Sequence, residues 1–302
     1  MNCKSITGIA LLRASRPNFL ILSLLCAWLG IVLAQGQGVR PGFLESALVL
    51  TGALLAHAAV NLLNEYEDFR SGLDLRTART RFSGGSGALP TRPQAASYVA
   101  VSAYGCVVLT AVIGVFFIKR QGLALLGLGG VGMALVMGYT RWATRSPWVC
   151  LLAPGVGFGP VMLLGSVLAL GGKLDPAVVV VAVVVMCLAS ELLLLNQLPD
   201  IEADRSVGRR HLAIAHGARV AAQGVVVLLV SAYSIIAVAI MMEGLLLSAG
   251  LALIPLPGAL WVARALSQTV KAYAPLTPIL GANVATILAT LGLLGLGLSL
   301  AE

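Results

Sequence analysis

The chain has 302 residues, 59% of them hydrophobic and only 11% charged, with a mean hydropathy of +0.96, whereas a soluble globular domain carries about 25% charge. That excludes an ordinary water-soluble enzyme, and it excludes disorder, whose signature is the reverse. The formal charge of +8 therefore poses a question of membrane sidedness before one of nucleic acid, for which no role is expected. Cys3, Cys26, Cys106, Cys150 and Cys187 lie far apart and form no CxxC, so they read as apolar packing.

A bilayer core of about 30 Å takes roughly 20 apolar residues as helix. Nine stretches without Asp, Glu, Lys or Arg follow in order: 17–39, 46–64, 93–118, 121–140, 146–172, 176–190 (continuing past Glu191 to about 198), 220–242, 244–263 and 272–301. The prediction is a single all-α integral-membrane domain, 1–302, with nine transmembrane helices around a central cavity and two cap loops. The first stretch has the charged start, apolar middle and small-residue end of a signal peptide, but with eight spans following it reads as an uncleaved anchor. Alternating through nine spans puts 16 of the 20 Lys and Arg on the side of the N-terminus, leaving Arg40, Lys119, Arg120 and Lys173 opposite. The positive-inside rule makes the richer side cytoplasmic and the C-terminus external, with a bacterial inner membrane as the expected location.

Two connections, about 64–97 and 198–219, are long enough to hold chemistry, and both are predicted to be cytoplasmic. They hold seven of the twelve acids and nine of the basic residues. The first cluster continues out of the second span. Asn61, Asn64, Glu65 and Asp68 stand at i, i+3, i+4 and i+7, which places two amides and two carboxylates on one helix face, with Asp74 beyond. In the second, Asn196, Asp200 and Asp204 stand at i, i+4 and i+8. Asn61 and Glu65 relate to Asn196 and Asp200 by an offset of 135, as Arg70-Ser71 does to Arg205-Ser206; a diverged internal duplication, with motif one at 57–90 and motif two at 195–210, would set two such helix ends face to face.

Two facing acidic stripes suit Mg²⁺, which is usually held by one or two carboxylates together with substrate phosphates. Arg70, Arg76, Arg79 and Arg81 follow the first stripe and Arg205, Arg209 and Arg210 the second, and guanidinium forks match phosphate oxygens. Ser83-Gly-Gly-Ser-Gly87 adds backbone N–H groups of the kind that form an anion nest. The alternative is a solvated charged loop. Against it stands the cost of polar residues that reach back into apolar spans.

These runs, 57–74, 81–90 and 195–210, resemble the UbiA superfamily of intramembrane prenyltransferases, and most of all its branch of 1,4-dihydroxy-2-naphthoate prenyltransferases. The resemblance implies a helical bundle capped by aspartate-rich loops, a prenyl diphosphate donor, Mg²⁺, and a lateral opening for lipid substrates. It implies Asn61, Asn64, Glu65, Asp68, Asp74, Asp200 and Asp204 as metal ligands, with Glu65 standing where the family commonly has aspartate. Asp68, Asp200 and Tyr139 are the expected catalytic residues. Tyr139 matches a family tyrosine near the reacting carbon, where an aromatic face stabilises positive charge; the alternative is an interface-belt tyrosine.

Ser146-Pro-Trp148 departs from the Gly-Leu-Gly-Glu-like stretch usual in the quinone enzymes and leaves the acceptor open. Arg16, Asn18, His57, Arg145, Glu191 and Asn196 are the candidates for an acceptor pocket, with a histidine bonded to a neighbouring helix the alternative for His57. His211 and His216 read as surface loop residues. The expected activity is Mg²⁺-dependent prenyl transfer to an electron-rich aromatic or quinone-precursor acceptor, with no obligate protein partner. A cyclase ionising the same donor is the alternative within enzymes. A transporter is the alternative outside them, although the polar residues gather at one face and not at the midplane.

Overall fold

The computed structural model describes residues 3–77, 79–80, 83–272 and 275–300, and among them every regular element is helical. After α1 (Cys3–Ala14) come nine apolar helices: α2 (Pro17–Gly36), α3 (Phe43–Ser71), α4 (Pro93–Gln121), α5 (Ala124–Gly138), α6 (Pro147–Ala169), α7 (Pro176–Asn196), α8 (Ala218–Met241), α9 (Leu247–Val270) and α10 (Thr277–Ser299). Eight of the nine are long and apolar enough to cross a bilayer, and the chain is an integral membrane protein. The exception is α5, the fourth expected span, whose 15 residues rise only about 22 Å. Gly122, at φ 95°, and the turn after Gly138 bracket it.

Local sequence starts and stops these helices. Prolines sit in the first turns of α2, α4, α6, α7 and α10, where the missing N–H costs nothing and the fixed φ is already helical. Asp175 caps α7, accepting from Val178 N at 2.9 Å. The 29 residues of α3 outlast the apolar stretch that predicted it and end at Gly72, φ 75°. The extra turns carry the first acidic stripe clear of the apolar stretch.

Neighbours in sequence pack side by side from α2 to α10, and α10 returns to α2, closing a ring. Further contacts of α2 with α6 and α7, and of α10 with α7, divide the interior. On the C-terminal side it is solid: Leu229, Ile236, Leu266, Leu280, Ile287 and Leu291 are fully buried. On the other side it is hollow. The partition is fixed by a small-residue contact, Gly155 and Gly159 of α6 against α7. A Cβ on Gly159 would lie 2.3 Å from the Ala182 carbonyl oxygen, and one on Gly155 would lie 2.4 Å from that of Met186, so the two backbones approach as closely as such motifs allow.

Candidate active site

The hollow side is a cavity of about 640 Å³ between α2, α3, α4, α5, α6 and α7. Its shaft is apolar, with Leu48, Ile113, Phe117, Met133, Phe158 and Met162 among its lining residues. Its polar groups collect at the end where α3 and α7 deliver the two motifs. There Arg16, Asn61, Asn64, Asp68, Asp74, Asn196, Asp200, Asp204 and Arg209 all line the space.

The motifs meet through specific bonds. Arg209 donates from Nη2 to Asp68 and from Nη1 to Asp204 Oδ1 at 2.8 Å. The Gly84 N–H donates to Asp200 Oδ2 at 3.0 Å, and Arg76 Nη1 donates to Ser206 Oγ at 3.2 Å. One charged fork thus spans two carboxylates from segments far apart in sequence, a geometry a lysine could not reproduce.

The first stripe is helical throughout, as its spacing predicts. The second is not. α7 ends at Asn196, a turn follows, and a new helix, Ile201–Ser206, begins with Asp200 at its N-cap. Pro199 lacks the N–H a continuous helix would need, so Asp200 and Asp204 reach the site from a bent connection and not from one straight face.

Several expected ligands stand elsewhere. Glu65 is fully buried, but its carboxylate accepts from Ser86 N at 3.0 Å, from Ala88 N at 3.2 Å and from Ser86 Oγ, and it does not line the cavity. Glu191 is fully buried on the solid side of α7, where it accepts from Asn283 Nδ2 of α10 at 3.0 Å, and it does not line the cavity. Arg70 lies over the Tyr66 ring and Arg205 pairs with Glu202, both exposed. Arg76, Arg145 and Arg210 are also exposed and do not line the cavity. Arg81 lies outside the described residues. Of the seven arginines expected on phosphate, Arg209 is the one that lines the cavity among those described.

Asn18 is exposed and lines a smaller polar pocket of about 240 Å³ with Arg13, Arg16, Ser83, Gly85 and Ser86. Half-buried His57 faces the shaft, its ring edge on Phe158 with centroids 5.0 Å apart. Tyr139 lines the cavity, its hydroxyl 3.6 Å from Cys150 Sγ, and that sulfur accepts from Gln197 Nε2 at 3.1 Å. His211, expected at the surface, is buried and sits 3.2 Å from Asp204 Oδ2 through Nε2. Its position in a polar run offered no signal; the helical turn at Ile201–Ser206 is what folds it back.

Electrostatics at this end favours a cation. Burial, and then the charges of Glu65 and Asp68, push Asp74 up to about 7; burial, and then Asp204, push Asp200 up to about 7. Asp74 Oδ2 and Asp200 Oδ1 are buried without a hydrogen-bond partner among the described residues. Among those residues no three His, Cys, Asp or Glu side chains converge on one point. A divalent ion would therefore take one or two carboxylates and complete its shell from a substrate, which is the habit of Mg²⁺ and not of a caged metal.

The UbiA prenyltransferase family matches residues 23–277. A 1,4-dihydroxy-2-naphthoate octaprenyltransferase of Bacillus subtilis (strain 168) is 31% identical over 237 residues, 77% of this chain and 72% of the relative. The apo structure of a UbiA homolog from Aeropyrum pernix K1 superposes with a TM-score of 0.71 at 15% identity, covering 95% of this chain and 98% of the other. A UbiA homolog from Archaeoglobus fulgidus bound to DMAPP and Mg²⁺ superposes with a TM-score of 0.58 at 14% identity, covering 94% and 98%. The helical fold is thus shared with the two solved structures, and the chain is a prenyltransferase belonging to the UbiA prenyltransferase family.

Proposed function

We propose that the protein transfers a long prenyl chain from its diphosphate, with Mg²⁺, to an aromatic acceptor bearing a carboxylate. The observation that carries this is the join between an apolar shaft and a terminus made of Asp68, Asp74, Asp200, Asp204 and Arg209. A molecule with a hydrocarbon tail and a diphosphate head matches both parts at once. When bound, Mg²⁺ screens the diphosphate and makes it a leaving group. Asp74 from one motif and Asp200 from the other, each with a carboxylate oxygen free of hydrogen bonds among the described residues, would hold it, beside Asp68 and Asp204, which Arg209 engages. Arg209 stays beside the leaving oxygens and offsets their charge. Tyr139 lies with its ring in the cavity wall, positioned to stabilise positive charge on the allylic carbon. The apolar shaft keeps water from that cation, leaving the acceptor as its nucleophile.

The naphthoate named for the Bacillus relative carries a carboxylate, and Arg16 supports a similar acceptor here. Arg16 lines both the cavity and the smaller pocket, and its Nε is buried without a partner among the described residues. The motif end is assigned to the cytoplasm on the basic residues of its loops. The decisive assay supplies prenyl diphosphates and aromatic acceptors to membranes containing the protein. A prenylated acceptor is the expected product; hydrocarbon formed from donor alone would mark a cyclase.

Two outcomes follow. Protons on Asp74 and Asp200 compete with the ion, so the Mg²⁺ concentration for half-maximal turnover should rise as pH falls through about 7; a half-saturation constant flat between pH 6 and 8, each about one unit from that value, would contradict it. The shaft should also gauge the tail. Gly157 and Gly165 of α6 line it, and an added Cβ meets nothing closer than 4.0 Å at the first and nothing within 4 Å at the second. They lie about 15 and 27 Å from the motif end by helical rise. With roughly 5 Å per isoprene unit, Gly157→Phe should restrict donors to about three units and Gly165→Phe to about five. Competition among donors of graded length reads this directly, and an unchanged preference in both variants would remove the tail from the shaft.

A further inference from the structure

Glu65 is an acidic residue of the first motif that is buried and does not line the cavity, and its partners give it a separate task. Three donors converge on its carboxylate: Ser86 N at 3.0 Å, Ala88 N at 3.2 Å and Ser86 Oγ. Arg16 Nη2 adds charge 3.7 Å away. All three donors belong to the far end of the glycine-rich loop, whose near end carries the Gly84 N–H that reaches Asp200. Between these anchors Gly84, Gly85 and Gly87 have φ of 82°, 76° and 68°, a conformation that costs side-chain-bearing residues strain. Gly85 also passes so near Asp74 that a Cβ there would lie 2.5 Å from Oδ1. The loop therefore threads between the two motifs with its backbone against their carboxylates, and Glu65 holds it there.

We infer that Glu65 is a positioning residue: it takes no metal, and it clamps the glycine-rich loop through Ser86 and Ala88 so that Gly84 stays bonded to Asp200 and the Gly85 amide beside it, in the cavity lining, faces the diphosphate of the donor. Successive backbone N–H groups in left-handed turns form the concave donor set that binds phosphate oxygens. Aspartate, shorter by one methylene, would have to move helix or loop to make the same contacts. Glutamate at this position thus has a local explanation in reach. The inference rests on the diphosphate reading above for its ligand, and not for its anchor.

The test uses full-length Glu65→Gln and the milder Ser86→Ala, reconstituted in lipid, with two readouts. Hydrogen exchange of the Ser86–Ala88 amides, measured before any substrate is added, should accelerate about tenfold or more in Glu65→Gln, since a charged acceptor is replaced by a neutral one. In turnover, both variants should raise the donor KM about tenfold while the Mg²⁺ half-saturation stays within about twofold of wild type. A tenfold shift in Mg²⁺ half-saturation with unchanged loop exchange would make Glu65 a metal ligand and overturn the inference. Faster exchange with an unchanged donor KM in both variants would overturn its link to the diphosphate. Wild-type protein that turned over no prenyl diphosphate would refute the proposed function, while the exchange measurement would still decide whether Glu65 anchors the loop.

Discussion

Asp200→Ala is expected to lower prenyl transfer by about 10³-fold while the protein still reaches the membrane and elutes as a folded species. The asymmetry between function and folding comes from where Asp200 sits. It lies in the bent connection after α7, its Oδ1 has no partner among the described residues, and its Oδ2 takes one amide of the glycine-rich loop. Removing it deletes a carboxylate aimed at the cavity and leaves the helix packing alone. Asp68→Ala should be as inactive but less stable, because Arg209 then keeps Asp204 as its sole carboxylate. Transfer assayed in washed membranes, alongside size-exclusion chromatography of the purified variants, separates the two effects. Full activity in Asp200→Ala would reject the second motif as part of the site.

Arg209→Met should be damaging in both respects. The guanidinium, with 18% of its side chain exposed, bridges Asp68 and Asp204, whose side chains are 12% and 6% exposed. Without it two nearly buried carboxylates lose the guanidinium they share, and Asp204 keeps only its contact with His211 Nε2 at 3.2 Å. Breaking a buried pair in this way costs about 3 kcal/mol or more, and the loss of a charged donor at the leaving group should reduce turnover about 10²-fold. Arg209→Met combined with Asp204→Asn should recover much of the unfolding temperature, because the repulsion is gone, and none of the turnover. Arg209→Lys should retain charge but fail to span both carboxylates. Recovery of turnover in the double variant would mean that Arg209 acts through stability alone.

The spans and the first stripe were legible because they follow from periodicity. Apolar runs of about 20 residues admit few alternatives in a bilayer, and α3 remains helical through Asn61, Asn64 and Asp68. What periodicity cannot supply is direction at the ends of elements. Glu65 shares the stripe with Asp68, yet the loop that returns over α3 captures it, and no spacing rule announces where a loop of glycines will close. The i, i+4, i+8 spacing of Asn196, Asp200 and Asp204 takes no account of Pro199, which lies in the turn where the second stripe bends. Among the arginines, Arg205 has Glu202 three residues away and Arg70 has Tyr66 four residues away, local partners that hold them at the surface. Arg209 has no such partner so near and turns inward, which in retrospect distinguishes it. Glu191 precedes Asn196 by five residues, about 1.4 helical turns. On a helix that faces the cavity with one side and the core with the other, five residues are enough to change sides.

One flank of the cavity is lined by α4 and α5, helices with few buried residues that also expose Val108, Val112 and Val131, none of which lines it. A wall one helix thick makes the hydrocarbon phase part of the reaction medium. The prenyl donor partitions into lipid, so the concentration the protein senses is a mole fraction within the bilayer, diluted by added lipid even when the total amount in the tube is constant. Kinetic constants for this protein should therefore scale with the donor-to-lipid ratio, and membrane thickness and fluidity become reaction variables alongside pH and Mg²⁺.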